Sequence, residues 1–272
     1  MTAPPPLFDR PALLRNRRRA TPHGLFLHDA TRDMIEDRLK LINRTFTKIA
    51  VVTPFPEIWA DLWPDARIVP DDDVLDLVPE AHDLVIHATC LHWANDPVGQ
   101  LIQCRRALQA DGLCVAVLLG GSTLSELRTT LRDAEAEVSG GLSPRISPMG
   151  DIRDLGALLQ RAGFALPVAD GEILTAEYRD IWHLMRDLRV MGEPNALAQR
   201  RRRFTGRHLF EQANTLYQAR HKTPSGRIPA QFELITLTGW KPADSQPQPL
   251  RPGSAAARLA EALGTDEFKL PD

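Results

Sequence analysis

Short apolar runs alternate along this chain with segments whose apolar residues recur at helical spacing. The runs at 49–52, 83–89 and 113–119 are rich in β-branched residues and predict buried strands. Before the first run, Ile35, Leu39 and their neighbours repeat on one helical face, with charged residues between them. Strands that alternate with helices predict an α/β sandwich on a mostly parallel sheet, because parallel strands need crossover helices.

The carboxyl-terminal half departs from this alternation. Helices are predicted at 178–191 and 204–219, and an extended segment at 231–238 follows them. This order predicts a helical insertion before the last strand. Earlier in the chain, a capping box at Thr123–Glu126 predicts a helix start, and the segment 57–63 predicts a short helix closed by a proline.

The two ends of the chain differ in composition from the predicted central domain, residues 29–240. Residues 1–28 predict a surface arm in which the basic stretch 15–19 lies in solvent. An organellar transit peptide is the alternative, because the segment is rich in arginine and poor in acids. Residues 241–272 predict a flexible Pro-rich tail that carries a short helix at 254–263.

Charge, hydropathy and cysteine usage exclude several function classes. A net charge of -2 gives no indication of nucleic acid or of a membrane surface as a partner. The longest apolar run is about eight residues, against about 20 for a transmembrane helix. Three cysteines form no CxxC pair and leave an odd one over, which favours a reduced, cytoplasmic interior.

Several segments carry a resemblance to a known family. Residues 91–96 and 103–112, with the strand on either side, resemble the later half of the class I S-adenosylmethionine-dependent methyltransferases. More narrowly, the chain is similar to the branch of complex I assembly factor 5 and its alphaproteobacterial relatives, with the malonyl carrier-protein methyltransferases as looser relatives. The segments that carry this likeness are 8–18, 119–128, 141–145 and 237–240.

The resemblance implies a fold, a cofactor and a partner. The fold is the Rossmann-like three-layer class I methyltransferase sandwich. The cofactor is S-adenosylmethionine, and the residues that match its binding positions are Thr53, Asp71, Asp72 and Thr89. Asp71 or Asp72 corresponds to the acidic residue that contacts the adenine amino group; a solvated turn is the alternative for this acidic run. The implied partner is a respiratory complex I subunit or another protein substrate.

One segment departs from the family pattern. The family ends its first strand in a Gly-x-Gly turn, where the missing Cβ lets the backbone pass close beneath the cofactor. The equivalent stretch, Val51–Glu57, has no glycine, and Pro54 and Pro56 fix φ and remove N–H donors. A second hypothesis therefore stands beside the methyltransferase. It is a cofactor-free pseudoenzyme or assembly module that acts on a complex I subunit, with or without a protein-arginine-modifying activity.

Two residues are candidates for catalysis. His92 follows the strand 83–89, at the edge where open α/β sheets bind ligands, and is a candidate proton acceptor or substrate contact. The alternative is that His92 and Trp93 pack the next helix onto the sheet. Arg145 either clamps a carboxylate or peptide substrate or anchors its own loop to backbone carbonyls.

Two further groups of side chains give only weak indications of a functional site. Arg200–Arg203 either face solvent or meet an acidic partner. The five-residue spacing of His82, His87 and His92 suits neither one helical face nor one strand face, so no metal site is expected.

Overall fold

A computed structural model describes residues 5–247. Its main compact unit ends at Pro242, and a second unit begins at Ala243. The helix predicted at 254–263 lies outside the described residues. The six strands of the sheet are β1 (Ile49–Val52), β2 (Arg67–Val69), β3 (His82–Ala88), β4 (Leu108–Leu119), β5 (Ala165–Tyr178) and β6 (Ile228–Trp240).

The sheet has the order β2-β1-β3-β4-β6-β5. The first four strands in this order pair in parallel, and β6 lies antiparallel to both β4 and β5. The predicted α/β sandwich with its mostly parallel sheet is confirmed. The two helices between β5 and β6 also confirm the predicted insertion before the last strand.

Helices cover both faces of the sheet, because alternate residues of each strand point to opposite sides. Ala50 of β1 belongs to a core with α3 and α5, whereas Val51 belongs to the larger core with α2, α4, α6 and α7. The helices are α1 (Arg10–Arg17), α2 (Phe26–Leu41), α3 (Pro97–Ala107), α4 (Ser125–Ser139), α5 (Ile152–Arg161), α6 (Ile181–Val190) and α7 (Arg207–His221).

Two local predictions are wrong. The Thr123 hydroxyl does not cap α4; it donates to the Glu233 carbonyl and accepts from the Glu233 N–H, which ties the loop to β6. The segment predicted as a helix at 57–63 forms only a 3-10 turn at Pro56–Ile58 followed by hydrogen-bonded turns. Two prolines bound too few residues there for the costly first turn of an α-helix to propagate.

The amino-terminal segment is part of the folded domain. Asp9 caps α1 by accepting from the Ala12 N–H, and Pro11 occupies the first turn. Phe8 and Leu13 are buried against Trp93, so this segment packs over the edge of the sheet. The prediction that residues 15–19 lie in solvent is wrong for Arg17, whose side chain is only 6% exposed.

Candidate functional site at the carboxyl edge of the sheet

Two cavities lie at the edge where the parallel strands β1–β4 end, the position at which open α/β sheets bind ligands. The first, here called the β1–β2 cavity, has a volume of about 420 Å³ and is lined by the residues that follow β1 and β2. The second, here called the β4 pocket, has a volume of about 240 Å³ and is lined by the end of β4 and by α4.

The β1–β2 cavity contains half of the predicted cofactor contacts. Thr53 and Asp71 line it, whereas Asp72 and Thr89 do not. The glycine-free stretch Pro54–Pro56 also lines it, and so do apolar side chains of α1 and β2 and Leu25, the residue before α2. The turn that the resemblance associates with the cofactor therefore borders a real cavity.

Asp71 is the centre of an ion-pair network in this cavity. Arg17 Nη1 donates to both carboxylate oxygens, at 2.7 and 2.9 Å, and Arg10 donates to the same two oxygens at 3.0 and 3.1 Å. Arg10 also reaches Asp72, at 2.9 Å. The Asp71 side chain is 3% exposed, so the solvated-turn interpretation of the acidic run is wrong for this residue.

Burial by itself raises the pKa of Asp71, but the charges and hydrogen bonds of Arg17 and Arg10 outweigh it and hold the pKa below its ordinary value. Arg17 keeps two buried nitrogens, Nε and Nη2, without a partner among the described residues. The network therefore joins α1 to the loop after β2 through a buried carboxylate that stays ionised.

The two predicted threonines use their hydroxyls within the protein. Thr53 Oγ1 accepts from the Phe55 N–H at 3.1 Å, which closes the turn after β1. Thr89 Oγ1 donates to Thr31 of α2 at 2.8 Å, and Thr89 adopts a left-handed φ of 50°. Thr89 is therefore a link between β3 and α2 rather than a lining residue of either cavity.

The β4 pocket is mostly apolar. Its walls come from α2, β4, α4, α6 and β6, and its polar lining includes Glu193, Asn195 and two arginines. The pocket is smaller than the roughly 300–1,000 Å³ typical of drug-sized ligands, which suits a single long side chain. The main apolar lining residues are Leu27, Leu119, Leu124, Leu127, Leu131, Met149, Met185, Leu188, Phe210 and Phe232.

Glu193 brings a carboxylate into this pocket. Its Oε2 accepts from Trp93 Nε1 at 2.8 Å and lies 3.4 Å from His92 Nε2. Because the Leu119 N–H approaches His92 Nδ1 at 3.4 Å, the neutral tautomer that fits both contacts carries its proton on Nε2. Burial raises the pKa of Glu193, but the hydrogen bond from His92 and nearby positive charge outweigh it and lower the pKa.

His92 itself lies behind Glu193. Its side chain is 3% exposed and does not line the β4 pocket. Its neighbour Trp93 packs edge-on against Phe8, with ring centroids 5.1 Å apart. Trp93 thus attaches the amino-terminal segment to the sheet edge.

The boundary between the two cavities is formed by the start of α2 and the turn after α6. Leu25 lines the β1–β2 cavity and Leu27 lines the β4 pocket. A Cβ on Gly192 would meet Arg17 and Phe55 at 3.2 and 3.4 Å, so this turn packs closely on α1. His28 lies in the same layer, and burial lowers its pKa to about 4.

Arg145 lines the β4 pocket, but its guanidinium is bound to the protein. It donates to both oxygens of the Glu135 carboxylate, at 2.6 and 3.1 Å, and lies 6.0 Å from the Phe210 ring centroid. Ser143 binds the same carboxylate. The anchor predicted for this loop exists, but its acceptor is a buried side chain rather than a backbone carbonyl.

Sequence reasoning missed Arg10, Arg17, His28 and Glu193 as site residues. A signal for α1 was present, since Asp9 and Pro11 form a helix start that places Arg10 and Arg17 seven residues apart on one face. Glu193 has no comparable local signal. It follows a glycine with φ 83° that ends α6, a feature of helix termination rather than of ligand binding.

The remaining polar clusters and helices of the described residues form no further centre. Within residues 5–247, no group of three or more potential ligands is placed to hold a metal ion, and no helix there is long and apolar enough to cross a bilayer. Cys90, Cys104 and Cys114 are buried free thiols. In the basic run, Arg200 pairs with Asp9 at 2.9 Å, and Arg202 is 71% exposed.

The chain is similar to curated proteins of two kinds. It is 38% identical over 199 residues to the mitochondrial arginine-hydroxylase NDUFAF5 of Dictyostelium discoideum, a match that covers 73% of this chain and 45% of that protein. It is 36% identical over 198 residues to the human NDUFAF5, covering 73% and 57%. It is 30% identical over 205 residues to a malonyl-[acyl-carrier protein] O-methyltransferase of Gallionella capsiferriformans, covering 74% and 67%.

This chain therefore spans about half the length of these NDUFAF5 relatives. No protein-family model matches it. Among solved structures, a putative methyltransferase of Bacillus halodurans aligns over 76% of this chain and 97% of its own, at 12% identity and a TM-score of 0.46. The assignment to a family therefore rests on the sequence relatives and not on this structural likeness.

Proposed function

On the premise that this chain belongs to the class I S-adenosylmethionine-dependent methyltransferase family, in the branch of NDUFAF5 and the malonyl carrier-protein methyltransferases, we propose that it is a methyltransferase-type factor for the assembly of respiratory complex I. Its acceptor is a side chain of a protein substrate. Because the relatives most similar in sequence are named arginine-hydroxylases, the proposed acceptor side chain is an arginine.

The observation that carries this proposal is the pair of cavities at one edge of the sheet. A group-transfer enzyme needs one site for the donor and another for the acceptor, close together and shielded from water. The larger β1–β2 cavity suits a donor the size of a nucleoside derivative, and the smaller β4 pocket suits one side chain. The start of α2 contributes to both cavities, and the turn at Gly192–Glu193 contacts Arg17 and Phe55 of one and lines the other.

The β1–β2 cavity fits the family cofactor in size and position. At about 420 Å³ it falls within the range of small-molecule sites. Thr53 and Asp71 are the polar residues that would hold the group, and Phe55, Ile68 and Leu25 offer apolar surface to a flat ring. Asp71 already accepts from Arg10, so the cofactor must compete with that arginine for the carboxylate.

The glycine-free turn limits how tightly the cofactor is held. Pro54 and Pro56 have no N–H, and the Phe55 N–H already binds Thr53. The backbone of this turn therefore offers carbonyl acceptors but no free donor. We expect affinity for the cofactor that is measurable but modest.

The residues of the two cavities have different roles in the proposed reaction. When bound, S-adenosylmethionine supplies an activated methyl group. Trp93 and His92 hold Glu193 in one orientation, and Glu193 presents its carboxylate to the acceptor. Arg145 and Glu135 keep the loop 143–147 in place as one wall of the β4 pocket, which excludes water from the acceptor.

A titration tests the cofactor part of the proposal. Calorimetry of the full chain with S-adenosylmethionine and with its demethylated product is expected to show saturable binding. Arg10→Ala is expected to bind about fivefold more tightly, since it removes a competing ion pair of about 1 kcal/mol. Arg153→Ala, which removes an exposed cation elsewhere, is the matched control. The absence of binding at millimolar ligand refutes the methyltransferase and leaves the cofactor-free assembly module.

Co-purification tests the partner part independently. The tagged full chain is expected to recover a complex I subunit from native membranes, and mass spectrometry of that subunit is expected to show a modified arginine that is lost on deletion of the gene. An unchanged modification pattern after deletion contradicts the proposed role.

A further inference from the structure

We propose that Glu193 is the residue that recognises the acceptor, by pairing with the guanidinium of an arginine side chain inserted into the β4 pocket. This inference rests on the proposed function, because it assigns a recognition residue to the acceptor site of that function. It is carried by the burial, the hydrogen bonds and the free oxygen of Glu193.

Glu193 is held as a charged acceptor in an apolar surrounding. Its side chain is 10% exposed, and its pKa is nevertheless lowered. An ionised carboxylate in such a place is costly unless it is paired or fully hydrogen-bonded. The Trp93 N–H and the His92 contact both fall on Oε2. Oε1 accepts no hydrogen bond from residues 5–247 of the chain, and it is not among the fully buried polar atoms, so it remains accessible from the pocket.

The other charges near Glu193 leave room for a cation. No arginine or lysine of the described residues lies within ion-pair distance of it; its one such neighbour is His92. Arg17 lowers the pKa of Glu193 from a distance, but its guanidinium is bound to Asp71. His28, with a pKa of about 4, is neutral at pH 7.

Two further arginines line the pocket without neutralising the carboxylate. Arg145 is bound to Glu135 on two nitrogens. Arg189 is exposed, so solvent and salt screen its charge. A cationic head that reaches Glu193 therefore meets a carboxylate whose one neighbour at ion-pair distance is His92, and no unpaired buried cation.

The walls of the pocket match the rest of an arginine side chain. Leu124, Leu127 and Met149 line it with apolar surface on which three methylene groups can pack. Trp93 and Phe210 are lining aromatics, and guanidinium groups stack on aromatic faces. Guanidinium is also less strongly hydrated than the lysine ammonium, so it loses less on entering a nearly dry pocket.

Peptide binding by the unmodified full chain tests the inference without any variant. The probes are three peptides of identical Gly/Ser/Ala sequence with one central arginine, citrulline or lysine. Citrulline keeps the shape of arginine but carries no charge. Fluorescence anisotropy is expected to show the arginine peptide binding at least tenfold more tightly than the citrulline peptide, with lysine between them. Equal affinities for arginine and citrulline, or no binding of either, overturn the inference.

Glu193→Gln assigns the preference to this residue. The variant keeps the shape and the contact with Trp93, and is expected to abolish the preference for arginine over citrulline. Glu172→Gln, an exposed carboxylate on the edge strand β5, removes the same charge and is expected to keep the preference. If Glu193→Gln fails to fold, Glu193→Asp retains the charge and is expected to keep part of the preference.

The outcomes separate this inference from the function on which it rests. If Glu193→Gln keeps the preference while the complex I subunit still co-purifies and is modified, the recognition residue is wrong and the function stands. If the arginine preference depends on Glu193 but deletion leaves every subunit unmodified, the pocket is correctly assigned and the proposed function fails.

Discussion

The β1–β2 cavity and the β4 pocket lie at the same edge of one sheet, yet they treat a buried carboxylate in opposite ways. Asp71 is bound on both oxygens by two guanidinium groups. Glu193 has hydrogen bonds on one oxygen and no arginine or lysine within reach among the described residues. The first arrangement is complete within the protein, whereas the second becomes complete only when a cation enters.

This difference indicates that Asp71 stabilises the fold in addition to its proposed contact with the cofactor, whereas Glu193 has no comparable partner within the fold. A saturated ion pair joins distant segments and loses much when one partner is removed. A carboxylate held in place but left with a free oxygen is oriented for something that is not part of the chain. The comparison predicts large stability effects in the β1–β2 cavity and smaller ones around the β4 pocket.

The largest effect is expected for Arg17→Ala. It removes one cation from a buried carboxylate and is expected to lower the free energy of unfolding by about 3–5 kcal/mol, measured by urea denaturation at pH 7. Arg10→Ala is the matched control and is expected to cost about 1 kcal/mol or less, because the Arg10 side chain is more exposed. Equal losses in the two variants contradict the central role of Arg17.

Leu127→Ala tests the apolar wall of the β4 pocket. Leu127 is 2% exposed, and truncation of such a side chain costs about 2–5 kcal/mol. Because the site already borders an empty pocket, a loss near 2 kcal/mol is expected. Affinity for the arginine peptide should fall together with stability. A variant that loses stability but binds the peptide as before places the peptide elsewhere.

The free energy of unfolding is expected to depend on pH through His28, which lies at the boundary between the cavities. The unfolded histidine takes up a proton near pH 6.5, whereas the native one does so only at about 4. Protons therefore favour the unfolded state between these values. The contribution of His28 to stability is complete above pH 6.5 and is lost as the pH falls toward 4.

At pH 5 the loss is expected to be about 2 kcal/mol. The measurement is urea unfolding at pH 7 and pH 5 for the wild type and for His28→Gln. His82 and His87 also have pKa values lowered by burial, so the difference between the two proteins isolates His28. If the wild type and His28→Gln lose the same free energy of unfolding between pH 7 and pH 5, His28 does not titrate in this window.

The smallest effect is expected at the turn between the cavities. Gly192→Ala places a Cβ 3.2 Å from the Arg17 backbone at φ 83°, so a loss of about 1–2 kcal/mol is expected. Gly141→Ala is the control, because a Cβ there meets nothing within 4 Å and the backbone needs no positive φ. Chemical denaturation of both variants checks the difference. Equal losses in the two variants contradict both the left-handed backbone and the close packing of α1 at this turn.

Local sequence patterns predicted the secondary structure well where the apolar residues of a segment are buried. The strand at 49–52 has the predicted bounds, since a run of four apolar residues with β-branched members can only be a buried strand here. The capping box at Thr123 failed because the Glu233 backbone competes for the same hydroxyl. A sequence window around Thr123 contains no information about a strand 110 residues away.

The candidate site was predictable only in part. Thr53 and Asp71, which the resemblance implied as cofactor contacts, do line a cavity, because both follow strands that end at this edge of the sheet. His92 was found at this edge but lies behind Glu193, since the turn after α6 covers it. That covering depends on the helical insertion, whose position over the sheet no local pattern specifies.

The sequence by itself determined the α/β architecture, the strand edge at which ligands bind and the glycine-free turn, because hydrophobic period and proline content act within a few residues. Only the tertiary structure decided the charge pairs. Arg17 and Asp71 are 54 residues apart in the chain, and Trp93 and Glu193 are 100 apart. Whether a carboxylate is saturated or left with a free oxygen depends on which distant segments the folded chain brings to it.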